Sequence, residues 1–396
     1  MTPESSRDIL PEPTAELKQH SQRLAERLRE RIASCGPIPF SSYMEAALYE
    51  PGLGYYSAGL EKLGPGGDFI TAPELGELFG SCLARQIEAV CTSLQKPEIL
   101  EIGAGSGALA ATLLNRFSHS DRHSGMRYNI LERSADLRQR QKHTLLERAP
   151  AMFDRVTWID APPVVNWQGV LLANEVVDAL PVELFTKREG SLQQMFVKAN
   201  DSGFDWHFAP PAHALEDMIR KRLDDVLEEL PEGYRSEINV SLHSWLSGLT
   251  ETMTSGCALL IDYGYERRDY YHPSRSDGSL ICHYRHRAVD APFRWPGLQD
   301  ITAFVDFTAL AEAGMECGLD CNGYTSQAMF LLGNGLEHEL AILGSDLPEA
   351  QLDLRNEARR LTLPNAMGEK FKVMALTRGL PSPLPGFELQ DLRHRL

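Results

Sequence analysis

No apolar run in this 396-residue chain approaches the ~20 residues a membrane-spanning helix needs. The opening stretch, MTPESSRDILPEPTAELKQH, has no signal-peptide core, and Glu4, Asp8, Glu12 and Glu16 argue against an organellar transit peptide. The expectation is therefore a cytoplasmic chain with no membrane insertion. Cysteine is sparse: seven residues, at 35, 82, 91, 257, 282, 317 and 321, an odd number at scattered positions. That pattern suits reduced thiols better than a disulfide framework. Basic residues are outnumbered, 39 against 55 acidic, for a net charge of −16. Such a surface repels phosphate backbones, which argues against nucleic acid as a partner. Metal-ligand spacing is missing too. Cys282, His283 and His286 lie close together, but no second pair completes a zinc pattern, so no metal is expected.

What remains is an ordinary globular composition, 43% hydrophobic and 24% charged, at a length that suggests a main domain with sizeable additions. Residues 1–72 read as a polar tail and a helical region. Leu17, Leu24, Leu28 and Ile32 recur at helical spacing. A second helix is expected from Ser42, with Glu45 completing a capping box, and Thr71 with Glu74 opens a third that carries Leu75, Leu78, Phe79, Leu83 and Ile87.

Short apolar strands then alternate with helices: EILEIG at 98–103, YNILE at 128–132, VTWID at 156–160, GVLLAN at 169–174 and CALLIDYG at 257–264, with AMFLLG at 328–333 and FKVMALTRG at 371–379 as a last pair. This alternation predicts an α/β fold whose mostly parallel sheet is covered on both faces. The expected core is 73–181 and 257–379. Residues 182–256 separate two strands and read as an inserted subdomain. Residues 264–306 form a long, arginine- and aromatic-rich loop, a candidate lid, and 380–396 a C-terminal tail.

In EIGAGSGALA, the glycines Gly103, Gly105 and Gly107 follow a strand and open a helix. Glycine there permits a tight turn and close approach of a ligand to the backbone, beside the amides of a helix N-terminus. Two cofactors suit the spacing, since Gly103, Gly105 and Ala108 also satisfy the dinucleotide fingerprint, and either cofactor wants an acid such as Glu132 on its ribose hydroxyls. Glu101, inside the strand, and Asp160, closing the third strand, favour S-adenosylmethionine (SAM) over NAD-type cofactors. Glu101 would face the cationic methionine end and Asp160 the adenine amine.

In LLANEVVDALP, residues 171–181, a buried strand ends in Asn174 and Glu175, with Asp178 three residues on. A carboxylate at such a strand mouth is costly unless something needs it. With IPFSSYMEAALYEPGLGYYS, GDFITAPELGELFG, LEIGAGSGALA, NEVVDALPV, IDYGY and the run from Gly278 to Phe307 ending PGLQDITAFVDF, the chain resembles the MidA family of SAM-dependent methyltransferases from about Pro37 to Leu376. Mitochondrial members of that family are complex I assembly factors.

The resemblance implies a class I, Rossmann-like methyltransferase sheet with an inserted domain. It also implies methylation of protein arginine, possible respiratory-complex partners, and a GDFITAPE segment, with Asp68 and Thr71, lying over the cofactor. Asn174 and Glu175 would then line the place where substrate nitrogen meets the methyl group. Glu175 is expected to clamp the guanidinium, with Asp178 and Asp262 as further candidates and His286 as an orienting or proton-accepting group. Helix capping is the competing reading for Thr71, Asp178 and Glu175, and turn formation for Asp262. Glu237 is a lone acid of the insertion. Two other functions stay open: methylation of a small-molecule or other amine acceptor, and a SAM-binding assembly chaperone with little catalysis.

Overall fold

The computed structural model describes residues 10–58, 71–120, 125–224, 226–285, 287–346, 351–380 and 383–396. The chain divides into two compact units. One comprises residues 1–70, 179–239 and 273–303, and the other 71–178, 240–272 and 304–396.

The second unit is built on a sheet of seven main strands: β1 (Glu98–Ile102), β2 (Arg127–Leu131), β3 (Val156–Ile159), β4 (Trp167–Asn174), β5 (Met253–Tyr265), β6 (Asp320–Ser326) and β7 (Phe371–Arg378). Their order is β3-β2-β1-β4-β5-β7-β6. β7 runs antiparallel to both its neighbours, and the pairs from β3 to β5 are parallel. The fold is thus α/β and Rossmann-like. Strands such as Val170–Ala173 and Cys257–Ile261 are apolar on successive residues because both sheet faces are covered, so neither face needs polar side chains. The helices Leu78–Thr92 and Ala108–Ser118 pack on one another and share one core with Ile99, Leu172, Leu259 and Val373. The chain winds from β1 out to β3 and then resumes on the other side of β1 with β4. Ligands of open α/β sheets bind at such a reversal, beyond the carboxyl ends of the strands.

The first unit joins the helices Ala15–Cys35 and Phe40–Tyr49 to an antiparallel sheet of Glu183–Arg188, Ser191–Asn200, Gly203–Ala209 and Arg235–Ile238. Leu24, Leu28, Ile32, Phe40, Tyr43, Val197, Cys282 and Ile301 form its core.

Several expectations need correction. The 182–256 stretch is not one body, because 182–239 joins the N-terminal helices while 240–256 supplies the helix Leu242–Thr250 and the start of β5 to the second unit. The N-terminal helical region is therefore no separate domain. Nor is 264–306 one irregular loop. Residues 273–303 belong to the first unit and carry the strands Ile281–Tyr284, Arg287–Val289 and Asp300–Thr302. AMFLLG is the helix Gln327–Gly333, and the preceding strand is Asp320–Ser326. A fully buried apolar run reads the same in either conformation.

The helix expected from Ser42 begins at Phe40, after Pro39, and the stretch expected as one helix after Thr71 is broken at Gly76 into Ala72–Leu75 and Leu78–Thr92. The C-terminal segment lies along β6, where the Leu392 amide donates to the Tyr324 carbonyl at 2.6 Å.

Candidate functional site

β1 runs straight into the glycine turn. Gly103, Gly105 and Gly107 all have left-handed backbones, at φ 64°, 55° and 86°. An L side chain at any of them would be strained. A Cβ on Gly103 would also stand 3.1 Å from Val176 Cγ2, and one on Gly107 3.2 Å from the Cα of Gln141. The turn is thus bare backbone, and Gly107 leads directly into the helix Ala108–Ser118. Ser106 donates its hydroxyl proton to Glu74 of the short helix Ala72–Leu75.

Glu101, in β1 just before the turn, is buried and accepts a 2.8 Å hydrogen bond from the Tyr128 hydroxyl. Burial pushes its carboxyl up to about 7. Tyr128 opposes that shift and Glu132 adds to it.

Glu132 follows β2. Its Oε1 accepts from the Ser134 amide at 2.8 Å and its Oε2 from Gln141 Nε2 at 3.1 Å. Burial raises this carboxyl as well, and those donors pull it back. Arg138 joins the ends of two strands: its Nε donates to the Glu132 carbonyl at 2.6 Å, and its Nη2 to the Ile159 carbonyl at 2.9 Å and Asp160 Oδ1 at 2.5 Å. Asp160 itself is exposed. Tyr128, Arg138 and Gln141 were invisible as site residues in the sequence. Their signal lies in contacts across 21 to 36 residues, such as Arg138 to Ile159 and Gln141 to Gly105.

At the other side of the reversal, β4 ends in Asn174. Its Nδ2 donates to Glu175 Oε1 at 3.2 Å, while its Oδ1 is buried with no partner among the described residues. Glu175 has a left-handed backbone, φ 53°, unusual for a residue with a side chain. Its amide donates to the Ile261 carbonyl of β5 at 2.9 Å.

Asp262 is fully buried. Its Oδ2 accepts from three successive amides, Val176 at 3.2 Å, Val177 at 2.9 Å and Asp178 at 3.1 Å, and its Oδ1 from the Tyr263 amide at 2.9 Å. Burial pushes this carboxyl well above its ordinary range. Asp178 and then Glu175 push the same way, and the amides of Asp178 and Tyr263 oppose them. Engaged by backbone on both oxygens, Asp262 braces the turn after β4. The substrate contact expected of it from sequence does not fit that geometry.

The remaining candidates fall elsewhere. Thr71 precedes the helix Ala72–Leu75 without a side-chain cap hydrogen bond. His286 and Asp68 lie outside the described residues. Glu237 accepts from the Ser279 and Leu280 amides and the Ser279 hydroxyl within the first unit, a structural pin. Cys282 is buried there, its thiol pushed up to about 12 by burial. Among the described residues, no three His, Cys, Asp or Glu side chains converge as a metal site.

A bare left-handed turn at a helix N-terminus, an acid after β2, a buried acid in β1 and an orphaned amide oxygen after β4 suit a nucleoside carrying a cationic amino-acid end. The comparisons agree. A family model described as "Putative S-adenosyl-L-methionine-dependent methyltransferase" matches residues 82–325. A solved structure from Burkholderia thailandensis, bound to S-adenosyl-homocysteine, is 40% identical with a TM-score of 0.92, covering 98% of this chain and 100% of that one. The mitochondrial protein arginine methyltransferase NDUFAF7 of Homo sapiens is 28% identical over 407 residues, 94% of this chain and 86% of that protein. Its Danio rerio counterpart is 27% identical over 387 residues, 90% and 87%.

Proposed function

Because the chain belongs to the family of S-adenosyl-L-methionine-dependent methyltransferases, with SAM as its cofactor, we propose that it methylates an arginine guanidinium of a protein partner. The observation that carries this reading is the acidic turn after β4, where Glu175 and Asp178 lie near enough to the buried Asp262 to raise its carboxyl. Such a concentration of acid suits a cationic acceptor. The mitochondrial relatives, named as protein arginine methyltransferases, support protein arginine in particular. The resemblance to the MidA family makes a respiratory-complex subunit the first partner to try.

When bound, SAM supplies a methyl group made electrophilic by its sulfonium. Gly103, Gly105 and Gly107 present backbone to the cofactor, Glu132 takes the ribose hydroxyls, Glu101 faces the cationic end, and Asn174 offers its orphaned Oδ1. Asp160 and Thr71 border the same ligand in this reading.

The Glu175 carboxylate accepts two donors of the guanidinium fork and fixes which nitrogen points at the methyl group. A guanidinium with a pKa above ~12 is not deprotonated in advance. The proton therefore leaves during or after transfer, and Glu175 and Asp178 are the nearby acceptors. Asp262 keeps the turn rigid, so that positioning supplies most of the rate enhancement.

The test is incubation of the protein with SAM and candidate respiratory subunits, followed by mass spectrometry of acid hydrolysates. Methylarginine that is absent with Glu175→Gln is the expected result. Label found only on small amines, or no transfer to protein, overturns the assignment.

A further inference from the structure

The side chain of Gln141 touches three parts of the site at once. It projects from the helix Ala135–Arg148 and is fully buried. Its Nε2 donates to the Gly105 carbonyl at 3.1 Å and to Glu132 Oε2 at 3.1 Å, and its Oε1 accepts from Trp158 Nε1 of β3 at 2.9 Å. An indole nitrogen donates and cannot accept. The Trp158 bond therefore fixes which end of the amide carries oxygen, and turns the NH2 end toward two acceptors. Flipping the amide would set donor against donor and acceptor against acceptor at all three contacts. The closeness is also written into the backbone, since a Cβ on Gly107 would stand 3.2 Å from the Cα of Gln141.

We propose that Gln141, oriented by Trp158, is a positioning residue for the cofactor that holds the Gly103–Gly107 turn and the Glu132 carboxylate in fixed relation. The inference rests on the reading of that turn and of Glu132 as cofactor-binding groups. Gln141 acts through those groups and does not itself touch the ligand. Its donation to Glu132 also opposes the rise that burial imposes on that carboxyl. The charged groups facing Glu132 are Glu101 from β1 and Arg138 from the helix, with Asp160 beyond Arg138, while Arg133 contributes only its backbone amide.

The experiment is calorimetric titration of S-adenosyl-homocysteine into the full chain between pH 5.5 and 8.5. The variants are Trp158→Phe, Gln141→Leu, Gln141→Glu and Glu132→Gln. Trp158→Phe should weaken binding about threefold to tenfold, and Gln141→Leu about tenfold to a hundredfold. Gln141→Glu sets two carboxyl groups across a contact that needs one proton. Its affinity should fall as pH rises, whereas ionisation of the buried Glu101 facing the ligand's ammonium should tighten wild-type binding over the same range. A residue that merely filled space would leave that sign unchanged.

If Gln141→Leu fails to fold, Trp158→Phe still carries the test, because it deletes one donor and keeps an aromatic ring. Weakened binding in Glu132→Gln with Trp158→Phe and Gln141→Leu within twofold of wild type overturns the positioning role alone. Unchanged binding in Glu132→Gln overturns the reading of the site beneath it, and the proposal with it.

Discussion

The Tyr128 hydroxyl donates to Glu101 Oε2 at 2.8 Å between two neighbouring parallel strands, with both side chains shut away from solvent. Burial holds the Glu101 carboxyl at about 7, against an ordinary value of 4.5. A folded-state pKa above the unfolded one means the native state keeps a proton that the unfolded chain releases. Stability from this group is present in full below pH 4.5 and is lost as pH rises through about 7. The loss amounts to about 3 kcal/mol. Glu357, also raised to about 7 by burial, adds a fall of its own. The difference between wild type and Glu101→Gln isolates Glu101: denaturant melts from pH 5 to pH 8 should show a shallower decline in the variant. Equal slopes would sink the idea. A cationic ligand beside Glu101 favours its ionised form, so cofactor binding should release a proton and tighten as pH rises across 7.

Glu175 follows the end of β4 beside Asp262 of β5, and the two should fail in different ways. Asp262→Ala leaves the amides of Val176, Val177, Asp178 and Tyr263 without their acceptor. Unpaired buried groups of this kind cost about 2–4 kcal/mol together, even though removing a raised buried carboxyl offsets part of that. Glu175→Gln keeps shape and loses charge at a half-buried position. It should melt within a few degrees of wild type while kcat falls by about a hundredfold or more. Thermal melts with single-turnover assays read both. A Glu175→Gln enzyme of normal rate would remove Glu175 from the transfer step.

The centre of the sheet was legible because strands such as β1, β4 and β5 are buried on both faces and so announce themselves as short apolar runs. β6 was not. As an edge strand, DCNGYTS carries polar residues and an irregularity between Cys321 and Gly323, while the apolar AMFLLG beside it is a buried helix. The glycine turn was legible because its φ values admit little else. The part played by Asp262 was not. An acid at a strand end reads equally as ligand, turn former or brace, and its partners lie 84 to 86 residues earlier. They meet it because the β4–β5 register sets Asn174 opposite Ile261. Gln141 and Arg138 look like surface residues of a charged helix until the fold brings Gly105, Glu132 and Asp160 to them.

Gly107 and Gly190 share a left-handed backbone, at φ 86° and 71°, but differ in what surrounds them. Nothing lies within 4 Å of a Cβ built on Gly190, whereas one on Gly107 meets the Gln141 backbone at 3.2 Å. Alanine at either position carries a conformational cost of about 1 kcal/mol. At Gly107 a helix must also move, and backbone cannot swing aside. Gly190→Ala should therefore lower the melting temperature slightly and leave S-adenosyl-homocysteine binding intact. Gly107→Ala should weaken that binding about tenfold or more. Equal affinities in the two variants would remove the glycine turn from the site.

Glu237, 2% exposed, fixes the stretch that follows residue 273 within the first unit. Its carboxylate accepts from the Ser279 amide and hydroxyl and from the Leu280 amide at 2.9–3.1 Å, and the left-handed Gly278 (φ 72°) leaves room for it, since a side chain there would collide with the carboxylate. Removing the carboxyl leaves several buried donors without their acceptor, so Glu237→Ala should destabilise the unit by about 2–4 kcal/mol. Glu237→Gln, which keeps one acceptor oxygen, should lose less. The effect should be local first. Limited proteolysis ought to open new cleavage between residues 273 and 280 in Glu237→Ala at temperatures where the wild-type segment is protected. Cleavage that instead follows the global melt would mean the pin contributes nothing beyond the core around it.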